Sequence, residues 1–423
     1  MKQSCMLAAD ILLPAREEIE KGVWAVIACD QFTSELNYWS EAQTIVGDRP
    51  STLSLMLPEV YLEETATRLP VIHANMRRAL DGLLVCHKDA MIAVERTQSD
   101  GLVRRGLVAQ IDLEQYDYQK GATALIRATE GTVLERIPPR VAIRRDAPIE
   151  LPHVMLLIDD PKATVLEPLF APEAKAAREV AYDCDLMLGG GHICGSFLTD
   201  EQQKAVSDAL GALITPEAMA DRYGDASLAP LMFAVGDGNH SLASAKAAYE
   251  EVKTAIGAEA AATHPARYAL VEVVNLHDSA LRFEPIYRVM FHVDPADVLT
   301  ELRAYLATLD GTAAPQRIRC LGDFEPCELT VEHPVQQLTV GTLQTFIDGY
   351  LKTHPGASVD YIHGEDSTAA LAAAPDAIGF LFEGMEKDQL FRTVIYDGAL
   401  PRKTFSMGHA RDKRYYMECR RIK

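Results

Sequence analysis

Four residues that can take part in chemistry stand side by side near the middle of the chain: Asp237, Gly238, Asn239 and His240. The apolar run Leu231–Val235 precedes them and a stretch with helical spacing follows, so the pattern predicts a strand, a tight turn and a helix start. Such a turn gathers a base, a backbone that a ligand can approach closely, and N–H groups without intrahelical partners. We therefore predict an anion site, with phosphate as the commonest anion.

The same turn has a purely structural interpretation. Asp237 can cap the helix, and Gly238 can supply a positive φ. A cap accounts for one polar residue and leaves His240 unexplained, which favours the functional interpretation.

A second segment has the same order of elements. The apolar run Trp24–Cys29 predicts a buried strand, Asp30 follows it, and the next residues begin a helix that carries Tyr38 and Trp39. Two strand–turn–helix segments in one chain are candidates to converge on one site, which would bring Asp30 and Asp237 together.

Local positive charge interrupts the acidic sequence in two places. The first is Ile126–Arg145, in which Arg127, Arg136 and Arg140 are candidates to bind phosphate or carboxylate through bidentate guanidinium contacts. Surface salt bridges to the abundant acidic residues explain these arginines equally well.

The second basic segment, Leu400–Tyr416, can donate charge to an anionic ligand. Its cations are Lys403, Arg411, Lys413 and Arg414. For Asp412–Arg421 we expect a solvated terminal helix.

Composition limits the class of protein. The 423 residues suffice for one large or two ordinary domains, and 48% of them are hydrophobic. Acidic residues outnumber basic ones by 61 to 41, and the net charge of -20 opposes attraction to a nucleic-acid backbone. No run approaches the roughly 18 apolar residues of a membrane span, and the first residues lack a signal peptide. We expect a cytoplasmic protein that binds neither nucleic acid nor membrane, and a homodimer stays open.

The cysteines and histidines predict no metal site of the protein's own. The eight cysteines form no C-x-x-C pair and no zinc-type spacing with histidine, so we expect reduced thiols. Five histidines at strand ends or in turns lack a paired ligand at i+2 or i+4, namely His192, His240, His277, His363 and His409.

Apolar strands alternate with helical stretches, which predicts a mixed α/β fold. We expect residues 1–294 to form an α/β core that holds the Asp237 turn. Residues 295–423 would form a smaller C-terminal α/β unit, independent or packed into the same globule. Gly189–Gly191 predicts a turn or lid, and matches neither the dinucleotide fingerprint nor a Walker loop.

The sequence resembles the family known as domain of unknown function 1015 (DUF1015). That family is marked by a strand followed by Asp-Gly-His-His-Arg-Tyr and a helix, which corresponds here to Asp237–Leu242. The resemblance also includes Asp30-Gln31, Arg267–Val271, Asn275–Asp278 and Pro401–Met407, and so extends over most of the chain.

The turn is also similar to the Asp-Gly-His-His-Arg turn of the ParB/sulfiredoxin superfamily, which includes partition proteins, ATP-dependent sulfinic-acid reductases and kinases of free serine. This implies a ParB/sulfiredoxin-like nucleotide-binding core with large insertions. Asp237, Gly238 and His240 match the superfamily's acid, glycine and second histidine. Asn239 replaces the first histidine, and Ser241 replaces the arginine that contacts a phosphate. The resemblance places Gly238, Asn239 and Ser241 around the phosphates.

The positive charge that is missing at Ser241 must come from elsewhere if the ligand is the same. The candidates to replace the arginine are Arg127, Arg136, Arg267, Arg288 and Lys403.

The resemblance implies a nucleotide-dependent phosphotransferase on a small hydroxylated metabolite, with free serine or phosphoserine as the best specific substrate. ATP or ADP with Mg²⁺ would be the cofactors. Asp237 would be the general base or a magnesium ligand, and His240 would stabilise the transferring group. Glu130 and Glu284 are alternative bases. The pocket would be completed by Asp30, Arg127, Arg136 and Lys403.

Two other functions use the same site. A phosphatase would act on the same substrates, with water in place of the acceptor nucleotide. A non-catalytic sensor would bind a nucleotide or an amino acid without turnover.

Overall fold

The computed structural model describes residues 5–33, 35–131, 137–408 and 410–423. Their strands are β1 (Met6–Leu7), β2 (Ala9–Pro14), β3 (Leu84–Ala90), β4 (Ile92–Thr97), β5 (Val103–Asp112), β6 (Tyr116–Asp117), β7 (Ile126–Arg127), β8 (Ile149–Glu150), β9 (Met155–Ile158), β10 (Val180–Asp185), β11 (His192–Phe197), β12 (Phe233–Asp237), β13 (Tyr268–Asn275), β14 (Phe283–Phe291), β15 (Gln316–Gly322), β16 (Phe324–Val331), β17 (Ser358–His363), β18 (Ala377–Leu381), β19 (Phe405–Met407) and β20 (Cys419–Arg421).

The α-helices of the described residues are α1 (Arg16–Ile19), α2 (Leu36–Val46), α3 (Thr65–Gly82), α4 (Ile137–Arg145), α5 (Pro172–Ala176), α6 (Asp200–Leu213), α7 (Pro216–Tyr223), α8 (Asn239–Ile256), α9 (Ala258–Ala261), α10 (Pro295–Leu306), α11 (Thr339–Thr353), α12 (Glu365–Ala372) and α13 (Lys387–Asp397). None of these described helices is both long enough and apolar enough to cross a membrane.

The chain divides into two compact units. The first comprises the described residues of Met1–Ala128, Thr132–Leu281 and Gly408–Lys423, and the second those of Thr129–Gly131 and Arg282–Met407. The boundary predicted between residues 294 and 295 differs from this division. The C-terminal segment returns to the first unit because β20 pairs with β2 and β8.

The largest sheet of the first unit mixes parallel and antiparallel strands. Its order is β10-β11-β4-β5-β13-β9-β12-β7-β6, and β1 also pairs with β5. β13 and β9 are parallel, whereas β12 and β9 are antiparallel. The mixed α/β class is therefore confirmed. Because β12 opposes β9, the carboxyl end of β12 lies at the edge of the sheet where β9 begins.

The C-terminal segment is buried, so the predicted solvated helix at Asp412–Arg421 is wrong. Met417, Cys419 and Ile422 belong to the same apolar cluster as Ile11 and are at most 3% exposed. The charged residues of this segment misled the prediction, because Arg420 pairs with Glu150 and Glu418 accepts a hydrogen bond from Tyr182 inside the protein. The segment thus forms part of the core of the first unit.

The apolar run Trp24–Cys29 is buried over most of its length, but it forms no regular strand. Its backbone makes irregular contacts with two different segments. Thr52 N donates to Trp24 O at 2.9 Å, and an isolated bridge joins Ile27 to Arg414. The prediction of burial is confirmed and that of a strand is wrong, because no neighbouring strand continues the pairing.

The second unit has a smaller sheet of its own. The order is β16-β15-β18-β14-β17, and β19 pairs with one end of β14. The helices α10, α11, α12 and α13 belong to this unit, so it too is a mixed α/β structure.

Candidate functional site

The Asp237 turn connects β12 to α8 within the first unit. Gly238 has a φ of 84°, and a Cβ atom there would lie 3.0 Å from Val154 Cγ2 and 3.1 Å from Val154 Cα. Glycine is needed both for the left-handed backbone and for the close approach to β9. Gly238 is the N-cap residue of α8, with no side-chain cap, and Asp237 Oδ1 accepts from Gly238 N at 2.9 Å. Asp237 is therefore not the helix cap.

The predicted residues at the start of α8 are all half-buried. Asn239 and His240 lie in the first turn of the helix, and His240 O accepts a hydrogen bond from Ser244 Oγ at 2.7 Å. The positive end of the helix dipole and the first N–H groups of α8 meet at this turn, which favours an anion beside it.

Lys413, a residue of the C-terminal segment, contacts this turn. Its Nζ atom lies 3.2 Å from Asp237 Oδ2, and both side chains keep a little under a third of their surface exposed. The buried C-terminal segment fixes its position, because Ala28 N donates to Lys413 O at 2.9 Å and Tyr415 N donates to Val26 O at 3.0 Å. Lys413 belongs to the basic tail, but its role at this turn did not emerge from the sequence.

Asp30 interacts electrostatically with Lys413. Burial alone would raise the pKa of Asp30, but the charges of His153 and Lys413 and a hydrogen bond from Gln31 hold that pKa below its usual value. The Gln31 bond, from Nε2 to Asp30 Oδ1, is 3.0 Å long. The structure thus brings the two predicted aspartates to one ammonium group, Asp237 by direct contact and Asp30 by electrostatic interaction.

His153, which lies just before β9, joins Asp30, Asp237 and Lys413 in one cluster of polar side chains. Its Nε2 atom lies 2.9 Å from Ser241 Oγ, and its ring meets that of Tyr415 edge-on at 5.1 Å. Nδ1 is buried and has no hydrogen-bond partner among the described residues. The sequence did not indicate His153 as a site residue, since its proximity to Ser241 depends on the antiparallel pairing of β9 and β12.

Cys29 lies beside this cluster but is a poor nucleophile. Burial and, to a lesser extent, the charge of Asp30 raise the pKa of the Cys29 thiol to about 12. A thiol that stays protonated does not attack or bind a metal as a thiolate. The candidate chemical groups at this site are therefore those of Asp30, His153, Asp237, His240, Ser241 and Lys413.

Several of the other predicted cations form hydrogen bonds away from the Asp237 turn. Arg127 is buried, and its guanidinium donates to the carbonyl oxygens of Ala124, Ala229 and Pro230 at 2.8–2.9 Å. These bonds hold loops of the first unit, which favours a structural role for this arginine. Arg136 lies outside the described residues.

Two further arginines that were candidates to replace the missing guanidinium form hydrogen bonds to other parts of the protein. Arg267 makes a bidentate pair with Asp112, with N–O distances of 2.9 and 2.6 Å. Arg288 is fully buried in the second unit and donates to the carbonyl oxygens of Arg402 and Lys403. Lys403 itself is an exposed residue of the second unit. Arg140 pairs with Glu59.

A small polar cavity is lined in part by the C-terminal segment. Its volume is about 20 Å³, enough for one water molecule. The atoms Arg96 Nη2 and Glu418 Oε2 are buried without hydrogen-bond partners among the described residues. The charged and phenolic side chains around the cavity are those of Arg96, Arg104, Tyr182, Glu272, Asp412, Arg414, Tyr415, Tyr416 and Glu418.

The triple glycine Gly189–Gly191 forms the turn between β10 and β11, as predicted. A Cβ atom at Gly190 would lie 2.5 Å from the Arg414 guanidinium, which in turn donates to Met187 O at 2.7 Å. The absence of a side chain at residue 190 therefore makes room for a buried arginine. This packing gives the glycines a structural role.

Glu418→Gln is expected to remove a pH-dependent loss of stability. Glu418 is fully buried, and burial raises its pKa from 4.5 to about 7. The folded wild type therefore holds a proton that the unfolded chain releases, so the contribution of Glu418 to stability is largest below pH 4.5 and is lost as the pH rises through about 7. A shift of this size corresponds to about 3 kcal/mol. Urea unfolding of both proteins near pH 5 and near pH 8 measures the difference.

The glutamine of this variant would keep an oxygen that accepts from Tyr182 OH, whose present bond to Glu418 Oε1 is 2.6 Å long. The two proteins should therefore be similarly stable near pH 5, and the variant should be more stable near pH 8. If the free energies of unfolding of the two proteins differed by the same amount at both pH values, Glu418 would not change its protonation between them.

The first unit is thus a mixed α/β structure in which a helix N-terminus, two aspartates, a lysine and a serine–histidine pair share one site. The chain belongs to the DUF1015 family, described as a protein of unknown function, whose model matches residues 12–415. The predicted family membership is confirmed. No curated protein matches the chain.

The solved structures that are similar to the chain include three at 10% sequence identity. A conserved hypothetical protein from Pyrococcus furiosus has a TM-score of 0.33 over 71% of this chain and 90% of its own. A mutant free serine kinase in complex with AMP has a TM-score of 0.36 over 71% and 87%. SbnI with a C-terminal truncation, from Staphylococcus aureus, has a TM-score of 0.32 over 71% and 82%.

Proposed function

We propose that the first unit is a nucleotide-dependent phosphotransferase acting on a small hydroxylated metabolite. The observation that carries this proposal is the position of Lys413. Its ammonium group contacts Asp237 at the N-terminus of α8, and its charge helps to lower the pKa of Asp30. An ammonium group beside a helix N-terminus suits phosphate, and a carboxylate beside both suits the activation of a hydroxyl group. The family resemblance supplies free serine or phosphoserine as the specific substrate to test.

Each residue of the site has a role in this proposal. The N–H groups from Gly238 to Ser241 and the ammonium group of Lys413 bind the phosphates, so Lys413 replaces the arginine that Ser241 lacks. Asp237 accepts the proton of the substrate hydroxyl as that oxygen attacks the γ-phosphorus, and the nucleoside diphosphate leaves with the electrons of the broken P–O bond. His240 stabilises the transferring group. His153 orients the Ser241 hydroxyl toward the phosphates.

Mg²⁺ is compatible with the carboxylates of this site. Asp30 and Asp237 offer hard oxygen ligands, and the lowered pKa keeps Asp30 ionised. When bound with a nucleotide, Mg²⁺ neutralises charge on the phosphate oxygens. Asp30 would hold the ion, while Asp237 stays available to the substrate. The cytoplasmic location and a homodimer stay predictions.

Lys413→Met is expected to weaken the binding of Mg²⁺·ATP and Mg²⁺·ADP by at least tenfold. The loss of one charge-assisted bond to phosphate costs about 1.5–3 kcal/mol, and methionine keeps much of the volume of the side chain. Isothermal titration calorimetry on the full chain measures the dissociation constants directly.

Lys253→Met is the matched control. Lys253 lies near the other end of α8, pairs with Glu114 at 2.6 Å, and is 30% exposed, as against 29% for Lys413. Nucleotide binding should be unchanged in this variant. Equal affinities of wild type and Lys413→Met, with intact folding, would refute the role of Lys413. Release of phosphate from phosphoserine without nucleotide would show a phosphatase, and binding without turnover would show a sensor.

A further inference from the structure

A cluster of three potential metal ligands lies in the second unit, and it is independent of the proposed function. Asp297 and Glu301 are one helical turn apart on α10, and His354 directly follows α11. One ligand atom from each residue lies within 4.8 Å of the other two, and these three form such a group among the described residues. His354 is not one of the five histidines considered from the sequence, because its partners are more than 50 residues away.

The distances within the Asp297 cluster suit a shared cation better than direct hydrogen bonds. His354 Nε2 lies 3.6 Å from Asp297 Oδ2 and 3.5 Å from Glu301 Oε1. Both distances exceed the usual 2.7–3.2 Å of an N–H···O bond. Two ligand atoms on a tetrahedral ion with bonds of 2.0–2.1 Å are separated by roughly 3.3 Å. The imidazole nitrogen and the carboxylate oxygens therefore have nearly the spacing of ligands on one ion.

The orientation of His354 is fixed by contacts on the other side of its ring. Nδ1 lies 3.1 Å from Tyr350 O and 3.0 Å from Thr353 Oγ1, so a proton on Nδ1 has an acceptor and Nε2 keeps its lone pair. The Tyr350 ring stacks on the imidazole at 3.8 Å and 6°. Metal-binding histidines commonly have such a partner on their second nitrogen, because it sets the tautomer and the ring direction.

The same tyrosine also holds one of the carboxylates. Tyr350 OH donates to Asp297 Oδ2 at 3.1 Å, which restricts the rotation of that carboxylate. Tyr350 is 3% exposed, so it forms a rigid support for both Asp297 and His354. Two of the three ligands are thus positioned before any ion binds, which lowers the entropic cost of binding.

We propose that Asp297, Glu301 and His354 bind a divalent transition ion of the Zn²⁺ class. One imidazole and two carboxylates suit Zn²⁺ better than Mg²⁺ or Ca²⁺, which prefer oxygen ligands throughout. The side chains keep 34–49% of their surface exposed, so water completes the coordination. The ion joins α10 to the end of α11 and stabilises the second unit.

A second surface histidine shows what an ordinary ion pair looks like in this protein. His292 Nδ1 lies 3.1 Å from Asp376 Oδ2, within hydrogen-bond range, and 70% of the His292 side chain is exposed. This pair has one carboxylate and belongs to no three-ligand group among the described residues. His292→Gln is therefore the matched control for His354→Gln, since each variant loses one surface histidine from the same unit.

Titration calorimetry with Zn²⁺ alone tests the site in the full chain. Other histidines and the eight thiols give a background that both variants share. Wild type and His292→Gln should bind one equivalent more than His354→Gln, or bind it at least tenfold more tightly. Glu301→Gln, which keeps the shape of the side chain, should also weaken this equivalent. Millimolar Mg²⁺ should not displace the ion.

Thermal unfolding provides a second measurement. A ligand that binds only the folded state raises its melting temperature, so Zn²⁺ should raise that of wild type and His292→Gln more than that of His354→Gln. The melting temperatures without metal show whether each variant folds. Equal stoichiometry, affinity and thermal shift in wild type and His354→Gln would overturn the proposal.

Discussion

Asp237→Asn is expected to lower kcat for the transfer of phosphate from ATP to serine by about 10²–10⁴-fold, the usual contribution of a general base. Asparagine keeps the shape of the side chain but does not accept the proton of the substrate hydroxyl. Lys413 Nζ, now 3.2 Å from Asp237 Oδ2, loses this anionic contact and becomes more available to phosphate. Nucleotide affinity should therefore be kept or improved, so the defect appears in turnover. Coupled detection of ADP in the presence and absence of serine measures it.

Asp278→Asn is the control for this substitution. Asp278 is also a half-buried aspartate after a strand, where its carboxylate accepts from Ala280 N at 2.8 Å and Arg105 N at 3.0 Å. It follows β13, whose carboxyl end lies at the sheet edge opposite the Asp237 turn. This variant should keep its turnover. Undiminished activity of Asp237→Asn, alongside an active wild type, would remove Asp237 as the base.

Glu150→Gln is expected to lower the free energy of unfolding by about 3–5 kcal/mol, the usual cost of breaking a buried ion pair. Glu150 Oε1 accepts from Arg420 Nε at 2.7 Å and from Leu270 N at 2.9 Å, and Arg144 bonds to the other oxygen. Burial would raise the pKa of Glu150, but the two arginines hold it below its usual value. With glutamine, the charge of the buried Arg420 would lack its partner. Urea unfolding at neutral pH measures the loss.

The surface pair Arg145–Glu251 provides the comparison for Glu150→Gln. Its N–O distances are similar, 2.9 and 3.0 Å, but both side chains are about half exposed. Glu251→Gln should unfold as the wild type does, within experimental error, because water already screens that pair. A loss of equal size in both variants would mean that burial does not set the strength of these pairs.

The Asp237 turn could be predicted because its pattern is local. An apolar strand, a glycine with a special backbone requirement and a helical stretch occupy adjacent residues, and each has its own signal in the sequence. Asp30 was found by the same order of apolar run, polar turn and helix, although the run Trp24–Cys29 forms only irregular backbone contacts. The structure then added the physical reason for Gly238, which is the approach of Val154.

Lys413 and His153 could not be placed from the sequence, because their positions depend on contacts between distant segments. His153 reaches Ser241 only through the antiparallel pairing of β9 with β12. Lys413 reaches Asp237 only because the C-terminal segment lies beside Val26 and Ala28. Charged residues in that segment predicted exposure, whereas the structure pairs or hydrogen-bonds most of them inside the first unit.

The return of Gly408–Lys423 to the first unit also sets an order of events during synthesis. The ribosome must make Arg282–Met407 before the segment that carries Lys413 emerges. Until then the nascent first unit has the Asp30 and Asp237 turns but lacks both Lys413 and strand β20. The site can therefore assemble only after Arg282–Met407 has been translated. Before that point, Lys413 is not available to bind a ligand.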